Sequence, residues 1–538
     1  MLMVKNFLKS IPQALLGTFL LFLIMESVCY LLGIPQGATR FTEITIIREK
    51  LHLKKPNGEY RIFTYGESTM FGAHYGSVSS PARWLEVYLK DFLPGKNIRV
   101  VNFGRIGQSS ADCYETFKGS LAYKPDLAIF YVGHNSFLPG TRENIAEAKR
   151  KDFVHILRHF FRKSRFVSAV YRSVLKLSLL AKNNKSKSEI YRHAIEVFPP
   201  GIKTEYVVPR NTSFYSEAIE FFKANVLKIS DLAEKNHVPV LFLKPVSNLK
   251  DFAPQYSVHM KKLAPDELNK WDTLYEKGKK AQAENKLTDA FNFYNQAYAI
   301  DDTFADLSFR LGQIYFRTGE FKKARSFFEE ARDNDAVVSR ATKETLEFLE
   351  ELSKAEKIQL IDTKKVLAPE VVSGILGEPI IEDNVHLSLK GHSLVGRLMA
   401  QEIAERNWIA SKEEWKFERE RPYEEIEKQL GIDNHIKVYT YLQIAAYLGS
   451  QYENRIRVAQ KALKLEPNNS QVLRALAWAY WLKGDKDKAV EIYKKLEQLD
   501  PQAFGEVIKV QPRIKDFTAK IEFFKARKRA VTEPLPLI

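Results

Sequence analysis

Read from the amino terminus, the first pattern is an almost unbroken apolar run from Ile11 to Ile34, IPQALLGTFLLFLIMESVCYLLGI. About 20 such residues cross a bilayer as a helix, so the run predicts one transmembrane anchor over residues 11–34 behind a short tail of residues 1–10. A cleaved signal peptide is the competing reading, but its apolar region is about 7 to 15 residues long with a small-residue cleavage site behind it, and this run fits neither feature well. Glu26 interrupts the run. Charged at mid-bilayer it costs on the order of 3 kcal/mol, so it is expected to be neutral, displaced toward an interface or paired with another helix.

After residue 56 the pattern shortens. RIFTYGEST, beginning at Arg61, is a β-rich run that stops at Gly66 and gives way through Ser68 to an amphipathic stretch from Pro81 to Phe92, the signature of strand, turn and helix. The same grammar recurs in IRVVNFGRIGQSS from Ile98 and in DLAIFYVGHNSF from Asp126. Each apolar run ends in glycine and a polar group. HVPVLFLKPVSNL from His237 reads as a further buried strand after a helical segment that follows Ser213, and KIQLIDTKKVL from Lys357 to Leu367 reads as another, with Asp362 at its end. Strands alternating with helices predict a parallel sheet, whose ligands sit beyond the carboxyl ends of its strands.

Two other patterns interrupt this one. From Lys149 to Lys187 there are 12 Lys and Arg against one acid, Asp152, with Phe153, Ile156, Leu157, Phe160, Phe161, Val167, Val170, Val174, Leu175 and Leu179 spaced as one helix face. This basic insertion has three open readings: a helix on anionic lipid, a cover over the catalytic edge, or a solvated face on an ordinary packed helix. Further on, Gly278, Ala290, Tyr294, Ala297 and Asp302 are matched 34 residues later by Gly312, Ala324, Phe328, Ala331 and Ala336. A second array follows near the carboxyl end, where Ala477, Tyr480, Gly484, Ala489, Tyr493 and Pro501 fit the same pattern and Arg455 stands where a small residue is expected. A 34-residue period with small residues at helix crossings resembles tetratricopeptide (TPR) repeats. Two repeats bury little, so each array is expected to pack on the rest of the chain, serving either as a partner-binding face or as a spacer or wall.

These patterns divide the 538 residues into a first sheet segment over 56–140, the basic helical insertion 141–235, a strand segment 236–250, repeats over 268–336, a last sheet segment 337–408, a second array over 436–502 and a tail 503–538. The length alone asks for more than one core. The basic excess, 82 Lys and Arg against 66 acids, comes with no zinc-finger or helix-turn-helix motif, so no nucleic-acid partner is expected. Cys29 and Cys113 are the only cysteines, which excludes a disulfide framework. The histidines are scattered, with no His-Glu-x-x-His run or Cys pair, so no metal and no cofactor are expected.

The candidate chemistry lies at the strand ends. Gly66-Glu67-Ser68, Gly107, Gly133-His134-Asn135 and Asp383-Asn384-Val385-His386 come in the order of the four blocks that the SGNH/GDSL hydrolase family carries, and the chain resembles that family. The resemblance implies a flavodoxin-like three-layer α/β sandwich with a parallel sheet, here joined to α-helical TPR repeats and one N-terminal transmembrane helix. It implies Ser68 as nucleophile, His386 as base and Asp383 as its orienting acid, with the backbone N–H groups of Ser68 and Gly107 and the Asn135 side chain as the oxyanion hole. A three-residue Asp to His spacing lets one loop present both groups. Glu67 stands where the family has aspartate; Gly104 competes with Gly107, His392 with His386, and His134 reads as a pocket-lining or solvent-facing side chain.

The function so implied is a membrane-anchored carboxylic ester hydrolase removing a small acyl group, acetyl above all, from cell-surface carbohydrate or glycolipid. An O-acyltransferase using the same residues is one alternative; a TPR scaffold for envelope or polysaccharide assembly with an idle hydrolase fold is another. Lys5 and Lys9 before the span and Arg40, Arg48, Lys50, Lys54 and Lys55 after it count toward a cytoplasmic domain, but long domains translocate regardless of such charges. The resemblance to anchored bacterial proteins of this type implies a single-pass protein of the cytoplasmic membrane with its catalytic domain on the extracytoplasmic, periplasmic side.

Overall fold

The computed structural model describes residues 2–32, 34, 39–149, 164–182, 206–449 and 451–510. Five strands form one parallel sheet: β1 (Glu59–Gly66), β2 (Asn97–Asn102), β3 (Leu127–Tyr131), β4 (Val240–Leu243) and β5 (Gln359–Ile361), in the spatial order β2-β1-β3-β4-β5. The order reverses at β1, so the crevice beside the carboxyl end of β1 is the topological switch point where such sheets place their ligands. The expected strand over 357–367 is shorter than its apolar pattern. Asp362 Oδ1 accepts the Lys364 N–H at 3.1 Å, and a helical turn over Lys364–Leu367 begins there instead.

Alternation along the strands splits the core into two layers. Ile62, Ile129, Tyr131, Leu241, Leu243 and Ile361 face the helices Pro81–Phe92 and Leu389–Glu405. Phe63, Tyr65, Phe130 and Phe242 face helices Ser110–Ser120, Ser213–Lys235 and Lys343–Lys354. On that second face three rings run across three strands, Tyr65 on Phe130 and Phe130 on Phe242, each pair stacked with centroids 4.9 Å apart. Both cysteines, Cys29 and Cys113, are buried and free.

The repeats fold as antiparallel helix pairs. The first array comprises Pro265–Ala283, Leu287–Ile300, Ala305–Arg317 and Phe321–Asp333. Its small residues sit where the helices cross: a Cβ on Gly278 would meet the Tyr294 ring at 2.4 Å, and one on Gly312 the Phe328 ring at 2.7 Å. The second array comprises Asn434–Tyr447, Tyr452–Leu465, Ser470–Lys483 and Lys486–Leu499, with a last helix Pro501–Val510. Neither array stands free. Arg340, just past the first array, donates to the carbonyls of Asn248 and Phe252 at the end of the β4 segment, and Phe252 in turn packs with Ile444, Leu448 and Val458 of the second array.

Residues 2–31 form one helix. Among the described residues no helix is long and apolar enough to cross a membrane, so the expected span over 11–34 stays an inference from the sequence. Glu26 on this helix accepts hydrogen bonds from Ser164 Oγ at 2.7 Å and from the backbone N–H groups of Arg165 and Phe166 at 2.8 and 3.0 Å. It thereby caps the helix Arg165–Lys182, satisfying donors that a helix start leaves free. Of the basic insertion, residues 150–163 and 183–205 lie outside the described residues, and with them Phe153, Ile156, Leu157, Phe160 and Phe161. Residues 503–510 belong to the last helix, and the rest of the expected tail lies outside the described residues.

Candidate active site

The nucleophile candidate is set by how β1 ends. A Cβ on Gly66 would meet the Tyr131 carbonyl oxygen at 2.5 Å and Met70 Cβ at 2.7 Å, so only glycine lets the ends of β1 and β3 come together there. The chain then turns into a single helical turn, Ser68–Phe71. Ser68 occupies its first position, where backbone N–H groups have no acceptor within the helix. Asn102 at the end of β2 fixes this turn: its Nδ2 donates to the Met70 carbonyl at 2.9 Å while its Oδ1 accepts from the Gly104 N–H at 2.8 Å.

From the opposite end of the sequence, the segment after the first array brings Asp383 and His386 to the same edge. His386 Nε2 lies 2.7 Å from Ser68 Oγ, and His386 Nδ1 lies 2.6 Å from Asp383 Oδ2. Asp383 Oδ1 accepts the backbone N–H groups of Val385 and His386 at 3.0 and 2.8 Å. The site is a serine–histidine–aspartate triad. Burial works to raise the Asp383 carboxyl, but His386 and a second histidine, His74, overcome it and hold the group well below the usual carboxylate range. Asp383 is therefore an acceptor only, so the proton on His386 sits at Nδ1 and its Nε2 is left bare toward the serine hydroxyl.

Glu67, the departure from the family pattern, has a structural task. Its Oε1 accepts the N–H groups of Gly133 and Asn135 at 2.9 and 3.2 Å, and its Oε2 accepts that of His134 at 2.8 Å. The carboxyl gathers the loop after β3 against the nucleophile turn. Burial pushes it up to about 7, against the three N–H bonds and the His386 ring that pull it down.

The triad members thus meet, and the oxyanion candidates lie in the loops beside them. Asn135 Nδ2 donates one hydrogen to the Gln108 carbonyl at 2.9 Å, which ties it to the residue after Gly107 and leaves its second hydrogen for another acceptor. Gly107 has φ +72° with nothing within 4 Å of a Cβ position, whereas Gly104 is pressed against the Phe71 amide nitrogen. The N–H of Gly104 is spent on Asn102, which separates the two glycines.

His134 does not face solvent: it is 2 % exposed, and its Nδ1 accepts the Ala341 N–H at 3.1 Å. Burial pushes its pKa down to about 3. His392 is fully buried, edge-on to Tyr75, and is likewise pushed down to about 3 by burial.

Two participants were invisible in the sequence. His74 Nε2 lies 2.7 Å from Asp383 Oδ2, a pairing across 309 positions with no motif to announce it. Among the described residues, His74, Asp383 and His386 are the one group of this kind whose ligating-type atoms fall within 4.8 Å of one another, and those atoms are spent on bonds among themselves. Tyr447, from the second array, places its ring 6.3 Å from that of His386 and 5.6 Å from that of His74, and its hydroxyl donates to Asn384 Oδ1 at 3.4 Å.

Comparison with known proteins agrees in part with this picture. Tetratricopeptide-repeat family models match residues 281–342 and 451–504, and the chain carries these repeats. No curated protein matches the chain. Among solved structures the chain is similar to a GDSL-like lipase from Bacteroides thetaiotaomicron, at 12% identity and TM-score 0.28 over 68% of this chain and 100% of that one. It is also similar to a lipase/acylhydrolase from Enterococcus faecalis, at 12% identity and TM-score 0.28 over 64% and 96% of the two chains. A third is an acetylxylan esterase from Geobacillus stearothermophilus, at 10% identity and TM-score 0.28 over 64% and 94%. At such scores the reading of the triad rests on its own geometry.

Proposed function

We propose that the chain is a serine ester hydrolase that removes or transfers a small acyl group, acetyl above all, on cell-surface carbohydrate or glycolipid. The observation that carries the chemistry is the continuous hydrogen-bond chain from Ser68 Oγ through His386 to Asp383, at 2.7 and 2.6 Å. In the proposed reaction His386 Nε2 takes the Ser68 proton as Oγ bonds to the acyl carbon, and Asp383 holds the resulting imidazolium. Negative charge on the carbonyl oxygen faces the N–H groups of Ser68 and Gly107 and the Asn135 amide. The carbon–oxygen bond to the sugar then breaks, the sugar oxygen takes the proton from His386, and the acyl group stays on Ser68. A second hydroxyl, of water or of an acceptor, gives its proton to His386 as its oxygen bonds to the acyl carbon; the bond to Ser68 Oγ then breaks and Oγ takes the proton back from His386.

Transfer to an acceptor hydroxyl in place of water is the second reading, and it uses the same three groups. An idle fold is disfavoured because the three triad groups are held at hydrogen-bonding distance. The carbohydrate class comes from the family resemblance. The apolar run over residues 11–34 supports the further reading of a single-pass anchor in the cytoplasmic membrane with the triad on the periplasmic side, and the two arrays support a protein partner.

The test is a panel of acetylated polysaccharides and small acetyl esters, with released acetate measured for the native protein and for Ser68→Ala. Acetate release that falls by about 10⁴-fold in the variant is expected. Equal release by both would remove the serine mechanism. A reporter fused after Ile538 reads orientation, and a cytoplasmic signal would overturn the periplasmic assignment.

A further inference from the structure

The Asp383 carboxylate has four donors and room for no more. Oδ1 takes the N–H groups of Val385 and His386, while Oδ2 takes His386 Nδ1 at 2.6 Å and His74 Nε2 at 2.7 Å. A carboxylate offers about four lone-pair sites, so these bonds leave none for water. Three of the donors come from the loop that carries Asp383 itself. The fourth, His74, comes from the segment that carries Ser68, six positions further along.

That difference in origin closes a ring. From Ser68 Oγ the path runs through His386 to Asp383, across to His74, and back along the backbone through the helical turn to Ser68. The two halves of the triad, separated by 318 positions, are thus joined at both ends. Without the His74 bond only the bond to be used in the reaction would join them through this set.

Resting on the proposed serine ester hydrolase reading of this triad, we propose that His74 is a positioning residue: it fixes Asp383 relative to Ser68 and moderates the basicity of His386 by sharing the carboxylate oxygen that His386 uses. Asp383 has no proton to give, so His74 donates from Nε2. Its ring meets His386 edge-on, with centroids 4.7 Å apart and an interplanar angle of 72°, so a charge on His74 would oppose the imidazolium formed in the reaction. Burial pushes the His74 pKa down against the pull of Asp383, which keeps it neutral. A donor shared on Oδ2 weakens the bond that Oδ2 makes to His386. Removing it strengthens that bond and makes Nε2 of His386 the stronger base.

The other ionisable groups around the pair do not supply this donor. Glu67 is spent on the loop after β3. Glu382 is turned toward Tyr75 and Lys461. His134 and His392 are neutral and buried, and the Tyr447 hydroxyl donates to Asn384.

Two variants in the full chain separate the donor from the ring. His74→Phe keeps a ring against His386 and loses the donor; His74→Gln places an amide N–H at the reach of Nε2 and loses the ring. The readouts are the pH profile of kcat/KM on p-nitrophenyl acetate and the low-field proton resonance of His386 Nδ1–H, with thermal unfolding as the folding control. For His74→Phe we expect kcat about tenfold lower, the acid limb moved up by about half to one pH unit, and the resonance moved downfield. His74→Gln should return the limb and the resonance to native positions. A native limb and resonance in His74→Phe overturns the proposal, as does an equal loss in both variants without any shift. The resonance is independent of substrate: if the native protein cleaves no ester, the ester hydrolase reading fails while a downfield shift in His74→Phe still supports the positioning. A resonance unchanged or absent in both proteins sinks it.

Discussion

Glu67 shows what one buried carboxylate can do for a loop. Its two oxygens accept three consecutive backbone N–H groups of residues 133–135, and an amide in its place would turn its own N–H₂ toward at least one of them. Glu67→Gln is therefore expected to lower kcat by about tenfold or more and to destabilise the fold by about 1–3 kcal/mol, measured by ester hydrolysis and denaturant titration. The same buried groups set the response to acid. His134 and His392, pushed down from 6.5 to about 3, contribute stability that is present above their unfolded value and lost as pH falls toward 3. Glu67, raised from 4.5 to about 7, has the opposite sign, its contribution being full below 4.5 and lost as pH rises through 7. Each group changes stability by about 1.4 kcal/mol per pH unit inside its window, so between pH 6.5 and 4.5 the two histidines outweigh the one carboxyl. These three groups together lower stability by about 1.4 kcal/mol per unit of acidification there, and His392→Leu should make the measured loss on acidification less steep than in the native protein in urea melts at stepped pH. None of this was legible in the sequence, where Glu67 was only a departure and the burial of two histidines had no pattern.

At the scale of elements, the strand ends and the histidine loop were the legible part. β1, β2, β3 and β4 fall where apolar runs stop at glycine or a polar group, and the three-residue spacing from Asp383 to His386 announces a shared loop because a single turn suffices to bring them together. What the sequence did not show is how that loop is held. Asn384 Nδ2 donates to Ser339 O at 3.1 Å and to Ser339 Oγ at 3.0 Å, just after the first array, while its Oδ1 accepts from Tyr447 of the second. Its own carbonyl accepts the Asn248 N–H at 2.9 Å. Contacts of this kind join positions 45, 63 and 136 apart by side-chain and backbone hydrogen bonds, and no periodicity encodes them. Asn384→Ala touches no group of the triad, yet it should lower kcat about tenfold with KM little changed, since it frees the loop that presents His386. Unchanged kcat would show the loop to be held without the clamp.

Across the whole molecule the second array reaches the triad, with the Tyr447 ring 6.3 Å from that of His386 and 5.6 Å from that of His74. The link is partly ionic: Lys461 reaches Glu378 at 3.1 Å and Glu382 at 3.0 Å, and Glu382 is only 3 % exposed. Removing the lysine leaves a buried carboxylate beside Asp383 with its charge opposed by no other cation in these bonds. Because Lys461 itself is 27 % exposed along its side chain, solvent reduces the effect, and Lys461→Met is expected to cost about 1–3 kcal/mol. Tracking the unfolding midpoint together with ester hydrolysis should show both falling in step. Loss of stability with full activity at low temperature would mean that the array supports the fold without shaping the site.

Ser68, activated by His386, is proposed to form a covalent acyl-enzyme, and mass spectrometry of the full chain after reaction with a fluorophosphonate tests that nucleophile. One adduct is expected, on Ser68, absent from Ser68→Ala and formed at least about a hundredfold more slowly in His386→Ala. An adduct that survives Ser68→Ala, or none at all on the folded native protein, would overturn the serine mechanism.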